Sequence, residues 1–187
     1  MLAAREPVTL RSLVTGTGAS TMAVYTYFGG MPGLWRAVRQ EGFTRLAVRL
    51  TRLPTTEDAV HDLAALGAVY QAHALDFPAL YRTMFDASFE LEDPAAAAAA
   101  FDILVDAAAR ATASGRFSAG TEPLAAATRY WAAGHGLASL VLGGVLPEAD
   151  LDGHARAVSE ALFLAWGDDP ATCRRSIEAG WRSGSRA

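Results

Sequence analysis

The 187-residue sequence has no lysine and no asparagine, and its only cysteine is Cys173. One thiol cannot close an internal disulfide, so the expected compartment is the reducing cytoplasm. All 16 basic residues are arginine, a bias that, with heavy use of alanine, reflects GC-rich coding and says nothing about mechanism. Long apolar runs are also missing. The longest are alanine tracts such as the one ending at Phe101, far short of the roughly 20 residues a membrane crossing needs. No basic start, apolar stretch and small-residue cleavage site marks a signal peptide. β-Branched residues are sparse and period-2 alternation is not sustained, which argues against a sheet protein.

What is present is helix former. Alanine, leucine, arginine and glutamate dominate, 51% of residues are apolar, and the chain is long enough for one or two domains with a real core. The expectation is an all-α protein. Charge is divided along it: residues 1–52 hold seven arginines against Glu6 and Glu41, and the remainder holds nine arginines against eighteen carboxylates. A basic head on an acidic body is the pattern of a protein whose head meets a polyanion, although scattered surface charge gives the same count.

The head is expected to hold two short helices, near 10–16 capped by Thr9 and near 21–27 capped by Ser20, with Gly18 in the turn. Gly29-Gly30 breaks the chain, Pro32 opens a longer helix, and Leu34, Val38, Leu46 and Leu50 carry that helix to about residue 51. Leu10, Leu13, Val24 and Phe28 suit the packed side of the short pair. Thr21, Met22, Ala23, Tyr25 and Thr26 are left facing outward, small enough for the second helix to enter a DNA major groove.

In the body, the "TTED" stretch after Pro54 reads as a helix start, and Leu63, Leu66, Tyr70, His73 and Phe77 recur at helical spacing as far as Pro78. Further helices are expected near 78–89, from Asp93-Pro94, from Thr121 to about Leu142, and near 150–166. The 121–142 helix has two apolar stripes, one through Leu124, Ala127, Trp131, His135, Ala138 and Leu142, the other through Tyr130, Gly134, Leu137 and Val141. Such a helix must be covered on two sides. It is either central to a monomeric core, or it forms with the 150–166 helix a four-helix interface to a second copy of the chain.

The stretch "TLRSLVTGTGASTMAVYTYFGGMPGLWRAV" resembles the DNA-binding region of the TetR family of bacterial transcription regulators, through Thr9, Leu13, Gly18, Ser20, Val24, Tyr25, Tyr27, Phe28 and Leu34. The stretch "RYWAAGHGLASLVLGG" resembles a branch of that family with a Trp-His-Gly signature, here Trp131, His135 and Gly136. Together the resemblances cover residues 1 to about 167. They imply a helix-turn-helix DNA-binding domain over 1–51 and a helical effector-binding and dimerisation domain over 52–187. They also imply a homodimer on a palindromic operator, and repression relieved by a small effector of unspecified identity. By this resemblance Thr21, Met22, Ala23 and Tyr25 lie nearest bases, while Thr9, Ser20, Thr26 and Tyr27 meet phosphate.

Two features depart from the family pattern. Met31 stands where a phosphate-contacting lysine is usual, and "MLAAREP" can supply no more than the last turn of the family's first helix. The alternative expectation is therefore a dimeric ligand-binding or interaction protein that no longer holds DNA.

Tyr70, His73, Tyr81, Phe85, Phe89, Trp131 and His135 combine aromatic faces with a few polar handles, the mix of a small-ligand pocket, although aromatics at this spacing also serve simply as core. No nucleophile, base and orienting group stand at informative spacing, so no enzyme is expected. Isolated pairs such as Asp58 with His61 do not make a metal site, and no cofactor is expected.

Overall fold

The computed structural model describes residues 9–88 and 90–185. The remnant of a first helix expected in residues 1–7, and Phe89, lie outside the described residues. Within them the chain forms nine α-helices and no strand: α1 Leu10–Val14, α2 Thr21–Phe28, α3 Met31–Thr51, α4 Ala59–Asp76, α5 Pro78–Met84, α6 Pro94–Ala113, α7 Pro123–Leu142, α8 Leu151–Ala165 and α9 Pro170–Gly184. No helix among the described residues is long and apolar enough to cross a membrane.

Local chemistry sets the helix ends. Thr9 closes a reciprocal capping box with Ser12, its Oγ1 accepting from the Ser12 amide at 3.1 Å while its own amide donates to Ser12 Oγ at 3.0 Å. Ser20 Oγ accepts from the Ala23 amide at 3.1 Å and so caps α2. That helix ends at Gly29, which takes the left-handed conformation at φ 68° that glycine adopts at no steric cost. The chain then turns straight into α3, whose Gly33 sits against the Phe28 carbonyl where a Cβ would overlap the oxygen.

Beyond its first turns, α3 becomes part of the body. Leu46 and Leu50 are buried in the same cluster as Val60, Leu63 and Val69 of α4 and Met84 of α5, each side chain contributing about 1.5–3 kcal/mol. Midway, Gly42 lets α3 rest directly on the Met84 side chain.

The central element is α4, buried on nearly every side, as expected of a helix apolar all round. It begins at Ala59 rather than within "TTED", because Thr56 is committed to holding Asp62. Its amide and hydroxyl reach that carboxylate at 2.9 and 2.7 Å, and Asp58 caps the amides of Val60 and His61. Likewise α5 stops at Met84 instead of continuing toward residue 89, since Arg39 Nε takes the Met84 carbonyl at 2.9 Å.

The last helix, α9, lies along α4 with Cys173, Ile177, Gly180, Trp181 and Gly184 buried. Gly180 and Gly184 face the α4 backbone at His61 and Ala65, where a Cβ would have no room. The ends of these helices are tied by charge. Arg116 grips Asp168 through both Nε and Nη2 at 2.6 and 2.8 Å, and reaches Asp58 at 2.7 Å. Nearby Arg110 reaches Asp62 at 2.6 Å. Burial raises the pKa of Asp58, but Ser176, the capping amides and Arg116 outweigh it and hold the carboxyl below its ordinary value.

Candidate functional site

Two places carry chemistry. The first is the outer face of α2. Met22 and Tyr25 are 70% and 56% exposed and Tyr27 is 80% exposed. Thr9, Ser20, Thr21 and Thr26 are also exposed, and Ala23 is half-buried. Thr26 points its hydroxyl hydrogen back to the Met22 carbonyl at 3.0 Å, leaving oxygen lone pairs outward. Seven of the eight expected DNA-facing residues are thus exposed and Ala23 is half-buried.

On the packed side, Val24 is the one buried residue of α2, Leu10 and Leu13 are half-buried, and Phe28 stays 38% exposed. Phe28 thus packs less than its place in the pattern suggests. Arg11 and Arg36 are exposed near this region and Arg52 is exposed at the far end of α3, whereas Arg45 pairs with Glu41 at 2.6 Å and Arg49 with Asp76 at 2.7 Å. The positive charge available to a polyanion is accordingly smaller than the sequence count.

The second place is a cavity of about 500 Å³ inside the body, within the range of small-ligand sites. One wall is α3, through Arg39, Phe43, Leu46 and Leu50 at the i, i+4, i+7, i+11 spacing of a single helix face. Tyr70 and Gln71 come from α4, Phe101 and Leu104 from α6, Tyr130 and Trp131 from α7, and Ser159 from α8. Aromatic edges meet faces around it: Phe85 lies 5.7 Å from Phe43 and 6.0 Å from Trp131, and Trp131 lies 6.0 Å from Phe101.

A polar chain leads out of this cavity. The Trp131 indole donates to Tyr70 Oη at 3.2 Å, the Tyr70 and Tyr81 hydroxyls are 2.7 Å apart, and Tyr81 Oη lies 2.7 Å from His135 Nδ1. Tyr70 Oη also lies 3.2 Å from that Nδ1, so the two hydroxyls and the imidazole form a triangle. One assignment uses its two shortest sides: Trp131 to Tyr70, Tyr70 to Tyr81, Tyr81 to a neutral His135 protonated on Nε2. Burial supports it, since it lowers the His135 value and pushes Tyr70 up to about 12, and it also raises Tyr81, which the adjoining Tyr70 raises further. Tyr81 and His135 border a second, smaller space of about 240 Å³ beside Phe85, Ser139 and Leu142.

The candidate ligand residues are thus distributed. Tyr70, Phe85 and Trp131 line the large cavity, and Tyr81 and His135 join it through the hydroxyl chain. His73 borders neither space: it is fully buried against Phe77, with neither ring nitrogen hydrogen-bonded. Sequence reasoning missed the α3 wall and Gln71. The α3 stripe was legible as periodicity, whereas one glutamine in an apolar helix gives no signal. No group of three or more metal-ligating side chains occurs among the described residues.

A family described as tetracyclin repressor-like, C-terminal domain, matches residues 63–163, more than half of the chain. No curated protein matches the sequence. Among solved structures, a protein of unknown function from Rhodococcus sp. RHA1 superimposes with a TM-score of 0.72 at 26% identity, over 86% of each chain. RolR without ligand gives 0.64 at 16% identity, over 91% of this chain and 86% of that one. RolR in complex with resorcinol gives 0.61 at 19% identity, over 94% and 86%. The RolR structures share the fold with this chain.

Proposed function

Because the chain belongs to the tetracyclin repressor-like (TetR) family, we propose that it is a homodimeric transcriptional repressor, reading a palindromic operator with α2 and released from it by a small molecule in the body cavity. The observation that carries this reading is the double role of α3. Its first turn is seated on the end of α2 at Gly33, and from Arg39 onward it forms a wall of the cavity through Arg39, Phe43, Leu46 and Leu50. A ligand pressing on that wall acts on the same rigid element that fixes the recognition helix. Since both sites bias one helix, effector and operator oppose each other reciprocally, and a thousandfold loss of DNA affinity corresponds to about 4 kcal/mol. RolR, which shares the fold, has been crystallised with resorcinol, which supports a small-molecule occupant here.

Dimerisation is assigned to α7 and α8. Ala132, Gly136 and Leu140 on α7 and Ala157, Ala161 and Ala165 on α8 are exposed at helical spacing, a small-residue surface that a second copy's helices can approach closely.

The test is fluorescence anisotropy of the purified chain on the DNA upstream of its own gene, at several salt concentrations. Specific binding with a log–log salt slope of roughly −0.9 per phosphate contact is the expected result. No binding at low salt removes the DNA-reading role and leaves a dimeric ligand-binding protein.

A further inference from the structure

The hydrogens on the cavity's polar wall are already placed. Thr128 gives its hydroxyl hydrogen to the Leu124 carbonyl at 2.7 Å and Ser159 gives its own to Ala155 at 2.7 Å. Ser159 Oγ therefore accepts from Tyr130, 3.2 Å away. Trp131 and Tyr70 use theirs in the chain toward His135. Gln71 donates Nε2 to the Gly134 carbonyl at 2.9 Å. A carbonyl partner fixes which end of that amide is nitrogen, so the free end is Oε1, which is buried and without a hydrogen-bond partner on a residue only 4% exposed. A buried acceptor left unpaired has lost its hydration with nothing in return, a penalty that a ligand hydrogen would remove.

Charge narrows the ligand further. Among the described residues, the one ionic side chain on the cavity wall is the Arg39 guanidinium, so a cation finds no counter-charge among them. A carboxylate brings no hydrogen to Gln71.

We infer that the cavity takes an uncharged, ring-bearing molecule with at least one O–H or N–H donor, such as a phenol or an aromatic alcohol, and that Gln71 Oε1 is the acceptor that selects it. The aromatic walls of Phe43, Phe85, Phe101 and Trp131 supply the ring contacts, and Gln71 supplies the discrimination. This rests on the reading of the cavity as an effector site.

The probes are 2-naphthol, 2-methoxynaphthalene and 2-naphthoate, titrated calorimetrically into the full chain at neutral pH. The first two differ in the single hydrogen at issue. Binding of 2-naphthol about tenfold tighter than 2-methoxynaphthalene, and tighter than 2-naphthoate, is the expected result. In Gln71→Met, 2-naphthol is expected to fall to the affinity of the methoxy compound, which itself stays unchanged. Equal affinities in the wild-type chain, a preference for 2-naphthoate, or a hydroxyl preference that survives Gln71→Met each overturn the inference while leaving the cavity a ligand site. Failure of all three compounds to bind removes the effector-site reading and the inference together. The wild-type comparison decides the matter even if Gln71→Met does not fold.

Discussion

Tyr81 Oη lies 2.7 Å from Nδ1 of His135, joining α5 to α7 at the far end of the hydroxyl chain that starts at Trp131. Removing that oxygen with Tyr81→Phe takes away two short hydrogen bonds and leaves only the longer contact of Tyr70 Oη with Nδ1, at 3.2 Å. A loss of about 1–3 kcal/mol in urea unfolding is expected. The proton assignment has its own check: long-range ¹⁵N spectra of the wild-type chain should show His135 as the Nε2–H tautomer, and the Nδ1–H form would refute the assigned direction of the chain.

His73 is a fully buried histidine whose ring nitrogens have no partner. Burial, reinforced by Arg49 and Arg45 and only partly offset by Asp76, lowers its pKa from 6.5 to about 4. The unfolded chain therefore binds this proton at a higher pH than the folded one. Stability is complete above about pH 6.5 and falls as pH drops toward 4, by up to about 3 kcal/mol. In His73→Leu, unfolding free energy measured at pH 7.5 and pH 5 should lose most of this difference, and the variant should be the more stable at both. An unchanged pH profile would refute the assignment.

Arg116 holds Asp168, whose side chain is 1% exposed, and Asp58 at once. Breaking a buried pair from one side strands the remaining charge, so Arg116→Met is expected to cost about 3–5 kcal/mol. Replacing Asp168 by asparagine in the same chain should recover part of the loss. Denaturant unfolding of the single and double variants measures both, and a loss below 1 kcal/mol would show the cluster to be solvated in practice.

Gly33→Ala places a methyl group on the Phe28 carbonyl oxygen. The body does not share this contact, so 2-naphthol affinity should be unchanged while α2 is displaced from its seat. Operator affinity is expected to fall at least tenfold, matching the roughly 1–3 kcal/mol typical of forced overpacking. Unaltered DNA binding would mean that α2 tolerates a looser seat.

Most helices could be read from the sequence because their ends carry caps and their faces carry period: Thr9, Ser20 and Asp93 mark starts that the structure keeps. The exception, α9, was not expected at all. Its buried stripe of Cys173, Ile177, Gly180 and Gly184 is regular, but two of those residues are glycines. A glycine reads as a breaker until the α4 backbone lying against it is known. What covers the apolar stripes of α7 is likewise not legible from the sequence. Leu124 and Trp131 belong to an apolar stripe yet are 54% and 36% exposed, because periodicity reports a face and does not say what covers it.

The cavity was legible only in part. Aromatic residues at helical spacing drew attention to Tyr70, Phe85 and Trp131, which do line it. His73 turns elsewhere: it stands two residues beyond Gln71, about half a turn around α4, so it packs on Phe77 while Gln71 faces Gly134 of α7. Gln71 acquires meaning only when the Gly134 carbonyl is placed beside it.

The close rest of α3 on Met84 at Gly42 makes the midpoint of that helix a fulcrum. Contacts on the cavity side at Phe43, Leu46 and Leu50 and the seat at Gly33 lie on opposite arms of one unbroken rod, with an axial rise of about 1.5 Å per residue. A small lift on the inner arm must then be answered by a counter-swing of comparable size at the outer one, and with no hinge between them little of it can be absorbed along the way.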